Sequence, residues 1–363
     1  MKPYIPENLP LQNLNWQHLI SLMSEANRKL ARYDGILHTM PNPVLLLSPL
    51  TTQEAVLSSR IEGTQATLEE VLKFEADPKA KTKKYADIQE VINYRKATSV
   101  AVEEMNKRPI SLNLIKNMHS VLLQSVRGEN KARGEFRKIQ NWIGKPGSTI
   151  ENARFVPPDP VELLNSLDNF EKYIHYEEKD RLVQLAMVHA QFEILHPFLD
   201  GNGRIGRILI PLFLFEKKIL NTPMFYISAF FESNRDEYYE RLKAVTDNKD
   251  WEGWIKFFLQ GVIQQSEKNI DKAKSILQLY EMMKEKMISV THSQYSIKAL
   301  DILFDMPIFS STEFIKNSSI PRASAKRILN RLEQSGTLRI LVKGSGRKPT
   351  IFVFSELIDI ANK

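Results

Sequence analysis

Residues 196–207 read His196-Pro197-Phe198-Leu199-Asp200-Gly201-Asn202-Gly203-Arg204-Ile205-Gly206-Arg207. Their types and order suit phosphate chemistry. Upstream, Leu182, Leu185, Ala186, Val188, Phe192 and Leu195 recur at helical spacing. Pro197 ends that helix near His196, because the residue before a proline is excluded from the α region. Downstream, Ile205, Ile208, Leu209, Leu212 and Phe213 start a second apolar helix. Asp200-Gly201-Asn202-Gly203 lies between them, a turn of residues that tolerate positive φ and bare their N–H groups. The second helix opens there, so its unpaired N–H groups and positive dipole end form an anion site. Arg204 and Arg207, three apart, project from one face of its first turn. The dipole disfavours cations at that end, and a bound polyphosphate resolves the conflict. His196 titrates near neutral pH beside the anion loop, and Asp200 is a hard oxygen ligand suited to Mg²⁺ on phosphates.

The elements that must position these residues flank them on both sides. A helix over about 160–176 brings the chain to the motif, and a helix over 203–217 leads away from it. Residues 133–158 change character: Asn141-Trp142-Ile143-Gly144, a Lys-Pro-Gly-Ser turn, then Ala153-Arg154-Phe155-Val156. Two short β-like runs about a Pro-Gly turn predict a hairpin. Ser233–Tyr239 opens another helix with paired tyrosines.

The twelve-residue stretch resembles the core motif of the Fic family, H-P-F-x-[D/E]-G-N-G-R-x-x-R, at every defined position. The resemblance implies an active site that transfers AMP from ATP to a hydroxyl of a target protein. It implies His196 as the general base acting on a Ser, Thr or Tyr, and Asp200 as the holder of Mg²⁺ on the α- and β-phosphates. Gly201, Asn202 and Gly203 become the anion hole, and the nucleotide site extends through Arg204, Ile205, Gly206 and Arg207. Arg204 contacts phosphate, Arg207 grips the γ-phosphate, and Phe198 packs inward. Relatives that transfer a whole phosphate carry Lys where this chain has Gly203. The hairpin becomes a flap that aligns an extended target segment by strand pairing, and Tyr239 falls beside the adenosine.

Ser58-Ser59-Arg60-Ile61-Glu62-Gly63 closes an earlier helix, in which Thr51 and Glu54 have capping-box spacing. Gly63 reads as its C′ stop. Taken alone, Glu62 is a solvated carboxylate at a helix end. Beside the core motif, the segment resembles the family's inhibitory motif [S/T]-x-x-x-E-[G/N], with Ser58, Glu62 and Gly63 at the defined positions. A carboxylate paired with Arg207 occupies the place of the γ-phosphate and repels it. In some relatives the same glutamate positions a water that removes AMP.

The rest of the chain reads as helical. Residues 1–15 form an extended arm, and a helix over about 16–33 ends at Asp34-Gly35. Residues 65–75 continue the helix after Gly63, and 77–84 form a charged, proline-bearing connection. Helices follow at 85–107 and 111–126; His119, among Ile115, Met118 and Leu122, reads as a core-edge histidine. A helical stretch at 251–289 serves as a connecting helix or a dimer surface. From about 291, a helix (296–304), a cap at Phe309-Ser310-Ser311-Thr312, a short helix and a helix over 322–335 precede two strands, 338–342 and 350–354. Three helices and a two-stranded wing resemble a winged-helix domain. Residues 291–363 hold 11 Lys and Arg against 6 Asp and Glu, most of the chain's net +7. Arg322, Lys326, Arg327 and Arg331 are expected on the outer face of helix 322–335, with Ala323, Ala325, Ile328, Leu329 and Leu332 inward. That face and a basic wing tip at 343–348 suit DNA backbone contact.

The 363 residues suffice for two or three domains. There is no cysteine, which excludes disulfides and thiolate metal sites. No apolar run reaches a membrane span and the first residues carry no apolar signal core, so the expectation is a cytoplasmic protein without a membrane partner. The expected architecture is mainly α: a Fic-type helical core with a β-hairpin flap, and a small C-terminal winged-helix domain. The expected domains are 1–110, with an inhibitory helix at about 49–63, then a core over 111–289, then 290–363. The expected activity is that of a protein adenylyltransferase using ATP and Mg²⁺, autoinhibited by Glu62. Its partners are a target protein with a Ser, Thr or Tyr hydroxyl, the chain itself in self-modification, DNA, and a second copy in a homodimer. The alternatives are a DNA-binding regulator whose core senses nucleotide, and the same site used for AMP removal or with another donor.

Overall fold

The computed structural model describes residues 2–363 except 80, 81, 125, 127, 129, 145, 146 and 347. Two buried helices carry the motif. The upstream helix, Arg181–Leu195, is capped by Asp180, whose carboxylate accepts from the N–H groups of Leu182 and Val183. The motif helix, Asn202–Glu216, starts from Gly201 at φ +78°. Both are apolar almost all round, as a pair at the centre of a core must be. They pack on one another, with Pro160–His175 and Arg235–Asn248 against the upstream helix and Leu112–Leu122 against the motif helix.

The chain divides into two compact units: Met1–Asp34, Leu57–Gly63 and Ile92–Glu267 form the first, and Gly35–Val56, Thr64–Val91 and Lys268–Lys363 the second. In the first, Trp254 lies buried and donates from Nε1 to the carbonyl of Ala186, fixing the upstream helix. The N-terminal arm lies along the same body: Tyr4 N–H donates to Val156 O, and the Glu7 carboxylate accepts from Lys249 and Trp251. Among the described residues the expected hairpin is reduced to one antiparallel bridge, Ile143 with Phe155, with a 3₁₀ turn at Ile150–Asn152 between them. Lys145 and Pro146 of its turn lie outside the described residues.

The second unit contains a three-stranded antiparallel sheet in the order Ile308–Ser310, Ile351–Val353, Arg339–Val342. The first of these strands is one that the sequence presents only as a cap. Ser310 does both: it ends the strand and closes a capping box with Glu313 on the helix Ser311–Asn317. Helices Leu68–Ala76 and Ser311–Asn317 pack against the strand Ile308–Ser310, and Arg322–Gln334 packs on Ser311–Asn317 and Ser296–Asp305. This arrangement is compatible with a winged helix. Ala325, Ile328, Leu329 and Leu332 are buried, whereas Ala323 is exposed. Arg331 leaves the expected outer face and donates to the carbonyl of Thr291. Arg347 of the wing tip lies outside the described residues.

Several element boundaries differ from the sequence reading. The first long helix, Ile20–Thr39, runs through Asp34 and Gly35. Leu37 and Met40 continue the buried stripe of Leu30 and Tyr33, and that burial exceeds the ~1 kcal/mol penalty of a helical glycine. Thr51 and Glu54 make no N-terminal capping box, because the helix Ser48–Ile61 has already begun; Thr51 Oγ1 donates to Leu47 O. After Gly63 the chain does not continue as helix at once. Thr67 and Glu70 form a capping box that starts a new helix, Leu68–Ala76. The expected stretch at 251–289 is one continuous helix, Trp251–Thr291.

Candidate active site

The site begins with a forced turn. His196 caps the upstream helix in the left-handed region, at φ 44° and ψ 58°. That conformation is uncommon for a side chain with a Cβ and persists only where surroundings hold it. Here the holder is Arg137, 3% exposed, whose Nε donates to His196 O at 3.0 Å and whose Nη2 donates to Pro158 O at 2.5 Å. Burial lowers the Arg137 pKa to about 10, so it stays charged at neutral pH. Its own N–H donates to Pro197 O, and Asn141 Nδ2 donates to Phe198 O at 3.0 Å.

The loop after His196 is closed from within. Phe198 N–H donates to Asn202 Oδ1, and Asn202 Nδ2 donates to Phe198 O, both at 2.8 Å. The Asn202 side chain is therefore a clamp on the loop, and the residue meets an anion only through its main chain. His119 completes the support. Its ring stacks on Phe198 with centroids 3.7 Å apart. Gly134 N–H donates to its Nδ1, so its Nε2 carries the hydrogen and donates to Asp200 O at 3.0 Å. Burial drives its pKa down to about 4, leaving it neutral.

Gly201 opens the motif helix, and a Cβ there would sit 3.3 Å from Leu122. Ile205 N–H is the first to reach back to a helical carbonyl, that of Gly201. The N–H groups of 202–204 thus point out of the helix end, as an anion requires. Ile205 and Gly206 turn away from that end. Ile205 is fully buried. The Gly206 carbonyl accepts from His189 Nδ1 at 3.1 Å, while Tyr238 OH donates to His189 Nε2 at 2.9 Å. Burial depresses the His189 pKa to about 3, so this relay is a neutral tie between three helices.

The charged groups converge on the open helix end. Arg207 is only 1% exposed. Its Nε donates to Ser58 Oγ at 2.8 Å, and its Nη2 donates to Ser58 O at 2.9 Å and to Glu62 Oε1 at 2.6 Å. Burial works against the Glu62 carboxylate, but the attraction and hydrogen bond of Arg207, with help from Arg204 and His196, hold its pKa below the usual value. Glu62 lies over the anion loop itself: a Cβ on Gly203 would collide with its Oε1. Arg204 is buried at 4% exposure and pairs with Asp200 Oδ1 at 3.4 Å, while Asp200 remains 41% exposed. No cluster of three or more His, Asp or Glu forms a metal cage among the described residues. A single accessible carboxylate is the donor set Mg²⁺ uses when phosphates supply the other ligands.

His196 is half-buried. Its Nδ1–H donates to Glu193 O at 3.3 Å, which leaves the Nε2 lone pair free. Burial lowers its pKa to about 4, so it is a neutral imidazole at physiological pH. A cavity of about 890 Å³ reaches the last turn of the upstream helix at Glu193 and Ile194, and is lined also by Glu62, Phe155, Arg154, Arg235 and Tyr239. Tyr239 is half-buried there, with the Arg154 and Arg235 guanidinium groups 5.4 and 6.0 Å from its ring centre. The sequence alone does not single out Arg137, Asn141, His189 or Glu193, and it marks His119 only as a core-edge histidine. The Fic/DOC family N-terminal profile matches residues 20–103, and the Fic/DOC family profile matches 109–214, together just over half of the chain.

This chain belongs to the Fic/DOC family. It is 28% identical over 204 residues to a probable protein adenylyltransferase of Aquifex aeolicus, covering 55% of this chain and 57% of that one. It is 29% identical over 170 residues to a protein adenylyltransferase Fic of Drosophila grimshawi, covering 46% and 31% respectively. The chain thus matches less than two thirds of the length of these curated relatives. Among solved structures, a Fic family protein from Desulfovibrio desulfuricans G20 superimposes with a TM-score of 0.59 at 18% identity over 98% of both chains. A Fic domain containing signaling protein from Bacteroides thetaiotaomicron gives 0.52 at 17% identity, over 71% of this chain and 97% of the other. These two establish the shared fold. No helix among the described residues is long and apolar enough to cross a membrane.

Proposed function

We propose that this Fic protein is a protein adenylyltransferase held inactive by Glu62. The observation that carries the reading is His196, with Nδ1 bonded and Nε2 free, beside a helix end that holds two buried arginines. ATP enters with its phosphates at the N–H groups of 202–204 and its base in the cavity bordered by Tyr239. Asp200 would hold Mg²⁺ with the phosphates, and the metal supplies charge neutralisation there. His196 Nε2 takes the proton from a target Ser, Thr or Tyr hydroxyl. That oxygen bonds to the α-phosphorus, the bond from it to the bridging oxygen breaks, and pyrophosphate leaves into the anion hole and arginines. Arg207 is the natural partner of the γ-phosphate, and Glu62 now occupies it. The expected brake is thus a competition between one carboxylate and one phosphate for the same guanidinium.

The test uses isotopically labelled ATP with wild type, Glu62→Gly and Glu62→Gly/His196→Ala, followed by intact protein mass. Adduct of one AMP on self or target in Glu62→Gly, absent in the double variant, supports both roles. Equal labelling with and without His196 rejects the base assignment. No nucleotide bound or transferred by any variant rejects the reading.

A second reading concerns the last seventy residues. Arg322, Lys326 and Arg327 are all exposed on one helix beside the antiparallel wing, which suits contact with a DNA backbone. Binding to duplex DNA that falls steeply with salt, and is lost in Arg322→Ala/Lys326→Ala/Arg327→Ala, supports it. Salt-insensitive or absent binding rejects it.

A further inference from the structure

One acidic group in the cavity has no role in the mechanism above. Glu193 sits one turn before His196 on the upstream helix, and its side chain lines the cavity with Glu62. Its Oε1 is buried and has no hydrogen-bond partner among the described residues. The oxygen is aimed across at the motif helix, where a Cβ on Gly206 would stand 2.6 Å from it. A buried ionised carboxylate without a partner is costly, and such a group takes up a proton instead.

Burial and the Glu62 carboxylate raise that cost, and Arg207 lowers it. The groups facing Glu193 come from every surrounding element. Its own helix contributes His189 and His196, both neutral. The segment before Gly63 contributes the Glu62 carboxylate, and the motif helix contributes Arg207. Helix Arg235–Asn248 supplies Arg235, Tyr238, Tyr239 and Lys243, and the flap supplies Arg154. Burial and the charge of Glu62 outweigh the pull of Arg207 and move the Glu193 pKa up to about 7. A bound nucleotide replaces one negative charge, that of Glu62, by several, and its γ-phosphate takes Arg207.

We propose that Glu193 binds nucleotide in its protonated form, its carboxyl hydrogen donated to an oxygen of the bound molecule, so that nucleotide binding takes up one proton. This rests on the nucleotide-transfer reading of the site and deepens it. The proton comes from solvent and forms the O–H bond of the Glu193 carboxyl; no other bond changes. The linkage has a definite sign. Binding raises the affinity of Glu193 for its proton, so nucleotide affinity falls as pH rises above the pKa of the free protein.

The experiment titrates full-length Glu62→Gly, and Glu62→Gly/Glu193→Gln, with Mg²⁺ and an ATP analogue that cannot be cleaved, from pH 6.5 to 8.5. The expected result is affinity for the parent that drops up to tenfold per pH unit above neutrality. The Gln variant, which keeps an N–H donor at every pH, loses that slope and binds more tightly than the parent at pH 8.5. Titration of the γ-phosphate is common to both and cancels in the comparison. Calorimetry of the parent alone, at pH 8 in buffers of different ionisation heat, reads proton uptake without any variant at Glu193. Uptake near one supports the proposal. Equal slopes in the two proteins, or no uptake in the parent, overturn it while leaving nucleotide binding intact. Failure of both proteins to bind the analogue at every pH overturns the proposal and the AMP-transfer reading together.

Discussion

Replacing Glu62 by glycine removes the carboxylate hydrogen-bonded to the buried guanidinium of Arg207. Arg207 is 1% exposed, and its Nη2 stands 2.6 Å from Glu62 Oε1, whose side chain is 33% exposed. Removing one partner of a fully buried ion pair costs about 3–5 kcal/mol. The partial exposure of Glu62 reduces this, and Arg207 keeps its two bonds to Ser58. A net loss of about 2–3 kcal/mol remains in the nucleotide-free protein. For a cooperative unit of roughly two hundred residues, each kcal/mol moves Tm by about 2–4 °C, so the variant should melt ~4–12 °C lower. The same energy is what a γ-phosphate must overcome to reach Arg207. Its removal should raise the rate of AMP labelling by roughly 30- to 150-fold at fixed nucleotide. Nucleotide at about a hundred times its Kd adds about 2.7 kcal/mol and should restore the lost melting temperature. Differential scanning fluorimetry with and without Mg²⁺ and the uncleavable ATP analogue, beside a labelling time course, measures both. A variant with unchanged Tm and unchanged labelling would refute the argument that the Arg207–Glu62 pair is the brake.

Three further outcomes follow from the same geometry. Asn202→Ala leaves Phe198 N–H buried without its partner, while Phe198 O keeps its bond from Asn141, and should cost about 1–3 kcal/mol. Asn202→Asp keeps the acceptor for Phe198 N–H but sets a carboxylate oxygen against Phe198 O, so it should not recover the loss in a urea titration. The rate of Glu62→Gly at saturating nucleotide should stay level from pH 8 to 6, because a His196 pKa near 4 keeps the base neutral there; a fall centred on 6.5 would contradict that environment. Finally, His119 and His189 are buried with folded pKa values of about 4 and about 3, below the ordinary 6.5. The unfolded chain then binds more protons, so their contribution is complete above pH 6.5 and is lost as pH falls towards 4. On the order of 2 kcal/mol each should disappear by pH 5, read as a falling urea midpoint in the wild type.

The sequence alone determines the local chemistry of the loop. Pro197 after a helical stripe, Gly201 at positive φ and an apolar run after Arg204 are short-range constraints, so the helix-end anion site is legible from consecutive residues. The same holds for the buried faces of the two helices, which periodicity exposes. Boundaries were less legible where burial competes with propensity. Asp34-Gly35 carries a turn signal, but the helix continues because Leu37 and Met40 find a core. Arg331 has the spacing of an exposed residue, yet the carbonyl of Thr291, forty positions away in sequence, captures it. Only tertiary structure decides the rest of the site. Glu62 meets Arg207 across 145 residues, and Arg137 meets His196 across 59. The first pairing is announced only by the resemblance of Ser58–Gly63 to the inhibitory motif and the second by no pattern, because each side chain finds its partner only after the helices pack. Burial then sets the protonation of His196 and Glu193 in opposite chemical senses, one base kept neutral and one acid pushed towards neutrality. Those states depend on how much water the packed helices exclude, which no stretch of sequence encodes by itself.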